Sequence, residues 1–157
     1  MTQEEKSMRL YEKLMPLLEE GKTVEIHPHG SSMWPLITSS ADSVLVRPIG
    51  DTRLKTNDII LYRRSSGLLV LHRLCRIKED GYYFTGDNQT EAEGPLNHGQ
   101  MLAVVTHICR KGHTFSVKNP PYRFCSRAWL ILRPARHLIS RPLGRLWRML
   151  CPPKKQT

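Results

Sequence analysis

The chain has 157 residues, 39% of them hydrophobic, with a mean hydropathy of -0.41, so it can bury a core without a disulfide or metal staple. Its apolar clusters, such as Leu68–Leu71 and Trp129–Leu132, fall far short of the roughly 18 residues of a membrane-spanning helix, and the polar start Met1–Leu10 is unlike a signal peptide. The net charge of +10 is uneven: residues 1–93 hold 12 Lys/Arg and all 14 acids, and residues 94–157 hold 12 Lys/Arg and no acid. These features argue against an integral membrane protein, a secreted precursor, a disulfide mini-protein and a disordered chain. The expected location is the cytoplasm or the surface of the cytoplasmic membrane.

Residues 3–20 have apolar side chains at helical spacing (Met8, Tyr11, Leu14 or Met15, Leu18). Pro16 argues for a kink or an early end, and Gly21 suits a C-cap. Thr23–His27 alternates as a short strand, and Pro28–Pro35 is rich in turn residues. Ser43–Arg47, Asp58–Arg63, Leu68–Ile77, Tyr82–Thr85 and Met101–Ile108 read as further strands. Arg64–Gly67 and Glu79–Gly81 supply turns between them. Short strands at close spacing predict a mainly β, antiparallel domain. Cys75, Cys109, Cys125 and Cys151 form no C-x-x-C pair, and His107, Cys109 and His113 fit no common zinc spacing. No metal or cofactor is expected.

Asn119-Pro120-Pro121 marks a change of composition, which divides the chain into an N-terminal helix (1–20), a β domain (21–118) and a basic tail (119–157). In the tail, arginines from Arg123 to Arg148 and apolar residues from Leu132 to Leu150 recur at helical steps, one residue apart. The result is an amphipathic helix, broken or kinked at Pro134 and Pro142. Such a helix suits an anionic membrane surface, or it packs on the β domain. Its charge also allows a non-catalytic nucleic-acid-binding module. Aromatic stacking platforms are sparse, however, and no recognition motif is present, so nucleic acid is the weaker partner.

Chemistry concentrates in three segments. Gly30-Ser31-Ser32-Met33-Trp34-Pro35 presents a serine in a turn after a strand. His72 lies on a strand, on the same face as Val70 and Leu74, where apolar walls keep an imidazole neutral. Gly86-Asp87-Asn88 is a turn that can hold a carboxylate. Serine, histidine and acid are the parts of a nucleophilic hydrolase.

In order and spacing these segments resemble the S24/S26 serine peptidases, the group of type I signal peptidases and LexA-like self-cleaving proteins. Gly30–Pro35 is similar to the family's G-x-S-M-x-P box, which implies Ser32 as nucleophile and Gly30, Ser31, Met33 and Pro35 as site-shaping neighbours. Asn57–Arg63 resembles the G-D-I-V-x-Y strand, with Asn57 in place of glycine, and Gly86–Asn88 resembles the G-D-N box. His72-Arg73 resembles the His-Arg of the ER-type and SipW-like branch, which implies His72 as general base. The acid is then Asp87, ranked first because a turn fixes it, or Glu93, ranked second; Glu91 is a further candidate.

The resemblance covers about residues 21–108. It implies a coiled antiparallel sheet or partly open barrel, and an oxyanion site built on backbone N–H groups, chiefly that of Ser32, aided by Ser31. It also implies endopeptidase cleavage of a precursor polypeptide after a small residue. Only 31 residues precede Ser32, too few for the DNA-binding domain of a LexA-like repressor. The alternative is an inactive peptidase fold serving as a basic binding module for nucleic acid or membrane.

Overall fold

A computed structural model describes residues 2–132 of the chain. Helix α1 spans Gln3–Glu19. Thr2 and Glu5 close a capping box at its start. Pro16 does not end it, because the helix continues through Leu18, which is buried in the core. It stops in a Schellman arrangement: the Gly21 N–H donates to Leu18 O and the Lys22 N–H to Leu17 O, with Gly21 at φ +76°.

The strands are β1 (Val24–Ile26), β2 (Asp42–Pro48), β3 (Ile59–Arg63), β4 (Leu69–Lys78), β5 (Gly81–Thr85), β6 (Glu93–Leu96), β7 (Met101–Arg110) and β8 (His113–Ser116). They form one 8-stranded antiparallel sheet, not closed, in the order β1-β2-β7-β3-β4-β5-β6, with β8 also on β7. A short 3-10 turn, His98–Gln100, leads into β7. Helix α2 spans Pro120–Ile131.

The centre of the sheet is buried on both faces. Along β3, Ile59 and Leu61 join one core with Leu14 and Leu18 of α1, Met33, Ile37, Val44 and Val105. Ile60 and Tyr62 join the other with Leu74, Phe84, Leu96 and Met101. The two faces need apolar residues at odd and even positions alike, which is why β3 reads as an unbroken apolar run rather than an alternation.

The composition change at Asn119 is not a break in packing. The Tyr122 ring lies 5.8 Å from Phe115, and its hydroxyl accepts from Arg73 Nη2 at 3.3 Å. Ser126 is buried, and Trp129 meets Trp34 edge to face at 6.1 Å. The first turns of the expected tail therefore belong to the folded body. The remainder of the expected basic helix, with Pro134 and Pro142, lies outside the described residues.

Candidate active site

The chain leaves β1 and reaches Ser32 through Pro28, His29 and Gly30, the last at φ +86°. Met33 and Ile37, both buried, anchor the far side of this loop in the first core. A bidentate pair then pins it from below. Arg110 on β7 grips Asp42 on β2 at 2.7 and 2.6 Å and also donates to Leu36 O, while Asp42 accepts from the Thr38 N–H. Burial alone would raise the Asp42 pKa, but the Arg110 and Thr38 hydrogen bonds hold it below the usual carboxylate value.

From the other side the Gly86–Asn88 turn presses on Ser32. The Asn88 N–H donates to Ser32 O at 2.7 Å. A Cβ on Gly86 would stand 2.5 Å from Ser32 O and 3.0 Å from Ser32 Cβ, so only glycine fits this approach.

Ser32 is half-buried and His72 is 3% exposed, and both line one groove of about 700 Å³. Its lining includes Glu25, His27 and His29, Leu69–Leu71 of β4, and Lys6 and Leu10 of α1. Gly30, Met33 and Gln89 complete the lining near Ser32. Among the described residues no hydrogen bond joins Ser32 Oγ to the imidazole, and none engages the Ser32 N–H. Pro35 is not among the groove's lining residues, and Ser31 is exposed with its carbonyl accepting from the Trp34 N–H.

His72 Nδ1 lies 3.1 Å from the Tyr62 hydroxyl, and that hydroxyl donates to Glu93 Oε2 at 2.8 Å. A phenol has one proton. Because it goes to Glu93, the Tyr62 oxygen must accept from His72, which puts the ring proton on Nδ1 and leaves the Nε2 lone pair free. Burial, then the hydrogen bond to Glu93 and its charge, raises the Tyr62 pKa, so the phenol stays protonated. Burial also acts to raise that of Glu93, but hydrogen bonds from Arg64 Nε and Nη2, both 2.6 Å, and from Tyr62 keep it lowered. The His72 imidazole is pushed down to about 4, chiefly by desolvation. It is a neutral ring in the physiological range.

The two candidate acids are thus used differently. Asp87, fully buried, is held bidentately by Arg73 at 2.8 Å for each bond, and its backbone carbonyl accepts from Trp129 Nε1 at 2.8 Å. Glu93 reaches the imidazole through Tyr62. Glu91 is exposed, and its backbone carbonyl accepts from Thr85 Oγ1. Sequence reasoning gave Tyr62, Arg64, Arg73, Tyr122 and Trp129 no role in the site. The first of these was within reach of a register argument: the Arg64–Gly67 turn sets Ile60 opposite His72 and Tyr62 opposite Val70, which makes Tyr62 a diagonal neighbour of the imidazole.

No family model matches the chain, and no curated protein matches it. Among the described residues, no cluster of His, Cys, Asp or Glu could hold a metal ion, and no helix is long and apolar enough to cross a membrane.

Proposed function

We propose that the protein is a serine endopeptidase of the S24/S26, signal-peptidase-I type, with Ser32 as nucleophile and His72 as general base. The observation that carries this reading is a buried imidazole whose Nδ1 meets the Tyr62 hydroxyl, itself bonded to Glu93, and which lines the same groove as Ser32. Asn57 supports the resemblance where it departs from glycine. Its φ of +77° is left-handed backbone, which glycine prefers and asparagine tolerates.

In the proposed reaction His72 Nε2 takes the Ser32 Oγ proton as Oγ attacks the scissile carbonyl. The developing oxyanion is met by the Ser32 N–H. The C–N bond breaks, His72 returns the proton to the leaving amine, and an acyl-Ser32 ester remains. Water, deprotonated by the same imidazole, then hydrolyses the ester. Glu93 takes the role of orienting acid, acting through Tyr62, and Asp87 takes that of a structural ion pair.

The substrate is an extended precursor segment with a small residue before the cut. β5 pairs with β4 only from Arg73 onward, and with the Leu69 N–H taken by Ser7 Oγ of α1, the edge of β4 around Val70 and Leu71 is left beside the groove for an extended peptide to add as a strand. Incubating the purified chain with such peptides should give two products by mass spectrometry and an acyl adduct on the peptide containing Ser32. Substrate left whole, with no adduct, counts against the reading.

The pH profile gives a second test. Above pH of about 4 the His72 ring is neutral and can accept a proton, and below it the ring is charged and the rate is lost. The acid limb of kcat/KM is therefore expected near pH 4. A limb centred at the ordinary imidazole value, about 6.5, would contradict the buried base.

A further inference from the structure

Helix α2 has two opposed faces. The inner row, Tyr122, Ser126 and Trp129, faces the β domain. Its Trp129 Nε1 donates to Asp87 O, in the same turn whose Asn88 N–H holds Ser32 O. The outer row is apolar and uncovered: Phe124 is 75% exposed and Ile131, two turns on, is 76% exposed, with Leu132 also exposed. Exposed Arg123 and Arg127 run beside that row. Large exposed apolar side chains aligned on one helix face mark an interaction surface.

We infer that the outer face of α2 docks on an anionic lipid bilayer and that docking, through Trp129, steadies the turn that holds the Ser32 loop. Charge selects the partner. From Gly94 onward the sequence has 12 Lys/Arg and no acid, and each cation near an anionic leaflet contributes about 1 kcal/mol. A second copy of the chain would set like charge against like. Nucleic acid would satisfy the arginines but leave Phe124 and Ile131 in water.

The coupling follows from helix length. A 12-residue helix is marginal by itself and depends on its packing. The outer row exists as a row only while α2 is helical, and only then does Trp129 reach Asp87. A bilayer that binds the helical state therefore favours the Trp129 contact as well. The functional consequence rests on the Ser32 reading, whereas docking and ordering do not.

The test uses the full chain with phosphatidylcholine vesicles, with and without phosphatidylglycerol. Cosedimentation is expected only with the anionic vesicles and should weaken with salt. Backbone amide exchange at residues 31–34 and 86–88 should slow several-fold on binding. Phe124→Ser with Ile131→Ser, both at exposed positions, should weaken binding about tenfold or more. Trp129→Phe should still bind but lose the slowing at residues 31–34 and 86–88. Equal binding by the Phe124/Ile131 variant, binding without slowed exchange, or displacement from vesicles by duplex DNA would each overturn the inference. Intact docking and slowing in a chain that cleaves no peptide would leave the inference standing and sink the peptidase reading.

Discussion

Ser32→Ala is expected to lower kcat by about ten-thousandfold, and His72→Gln by about the same factor, while the double variant is no slower than either alone. The reason for non-additivity is that in the proposed reaction the two groups act as a unit. Without the imidazole the hydroxyl stays protonated, and without the hydroxyl the imidazole has nothing to activate. Glutamine is the better replacement at position 72. It nearly fills the buried site and keeps a polar partner for Tyr62, so the loss reads chemistry rather than collapse of the apolar wall around Leu74 and Phe84. Cleavage rates at neutral pH, alongside thermal unfolding of each variant, check this. A Ser32→Ala protein that processes peptide at the wild-type rate removes the nucleophile assignment altogether.

The same kinetics separate the two acids. Tyr62→Phe deletes the acceptor of the Nδ1 proton, and the ring is then free to carry its proton on the wrong nitrogen. A loss of roughly 10- to 100-fold in kcat is expected, with little change in KM. Were Asp87 the orienting group, Tyr62→Phe would leave kcat close to its starting value. The geometry argues for Glu93. Each carboxylate is held at both oxygens by an arginine, but Glu93 also accepts from the phenol that meets the imidazole.

The sequence carried the larger strands because their apolar runs were long and bounded by turns, as in β3 and β4 with Arg64–Gly67 between them. It did not disclose β6, where Gly94 and Pro95 within four residues argue against a strand. Nor did it disclose β8, another four-residue strand with no alternation long enough to register. After Asn119 the two prolines occupy the first turn of α2, where proline is pre-set for a helix start. Distances along the chain could not reveal that Tyr122 and Trp129 fold back on the Gly86–Asn88 turn. The proposed choice of acid was hidden for a related reason. Asp87 and Glu93 are six positions apart, and what distinguishes them is that Glu93 meets Tyr62, the phenol beside the imidazole. That depends on the β4–β5–β6 register and its irregularities, which no local pattern encodes.

The Arg73–Asp87 pair should have the largest effect on stability. Its side chains are 3% and 0% exposed, so neither charge can turn to water when the other is removed. Asp87→Ala is expected to cost about 3–5 kcal/mol, and Arg73→Leu a similar amount. Against a total near 5–15 kcal/mol, either change takes a large share of the fold's stability. Burial by itself would lower the Arg73 pKa, but the Asp87 carboxylate outweighs it and raises it, so the guanidinium is ionised throughout any practical pH range. Arg73 also donates to Asn57 O and to the Tyr122 hydroxyl, so its loss loosens α2 and the entry to β3 together. The pair with both charges removed, Arg73→Leu with Asp87→Ala, should cost clearly less than the sum of the singles, because each single strands a buried charge and the double strands none. Urea unfolding of the four proteins measures the difference. Simple additivity would mean that the two charges are solvated independently. In that case the turn carrying Asn88, and with it the hold on Ser32, could not depend on their contact.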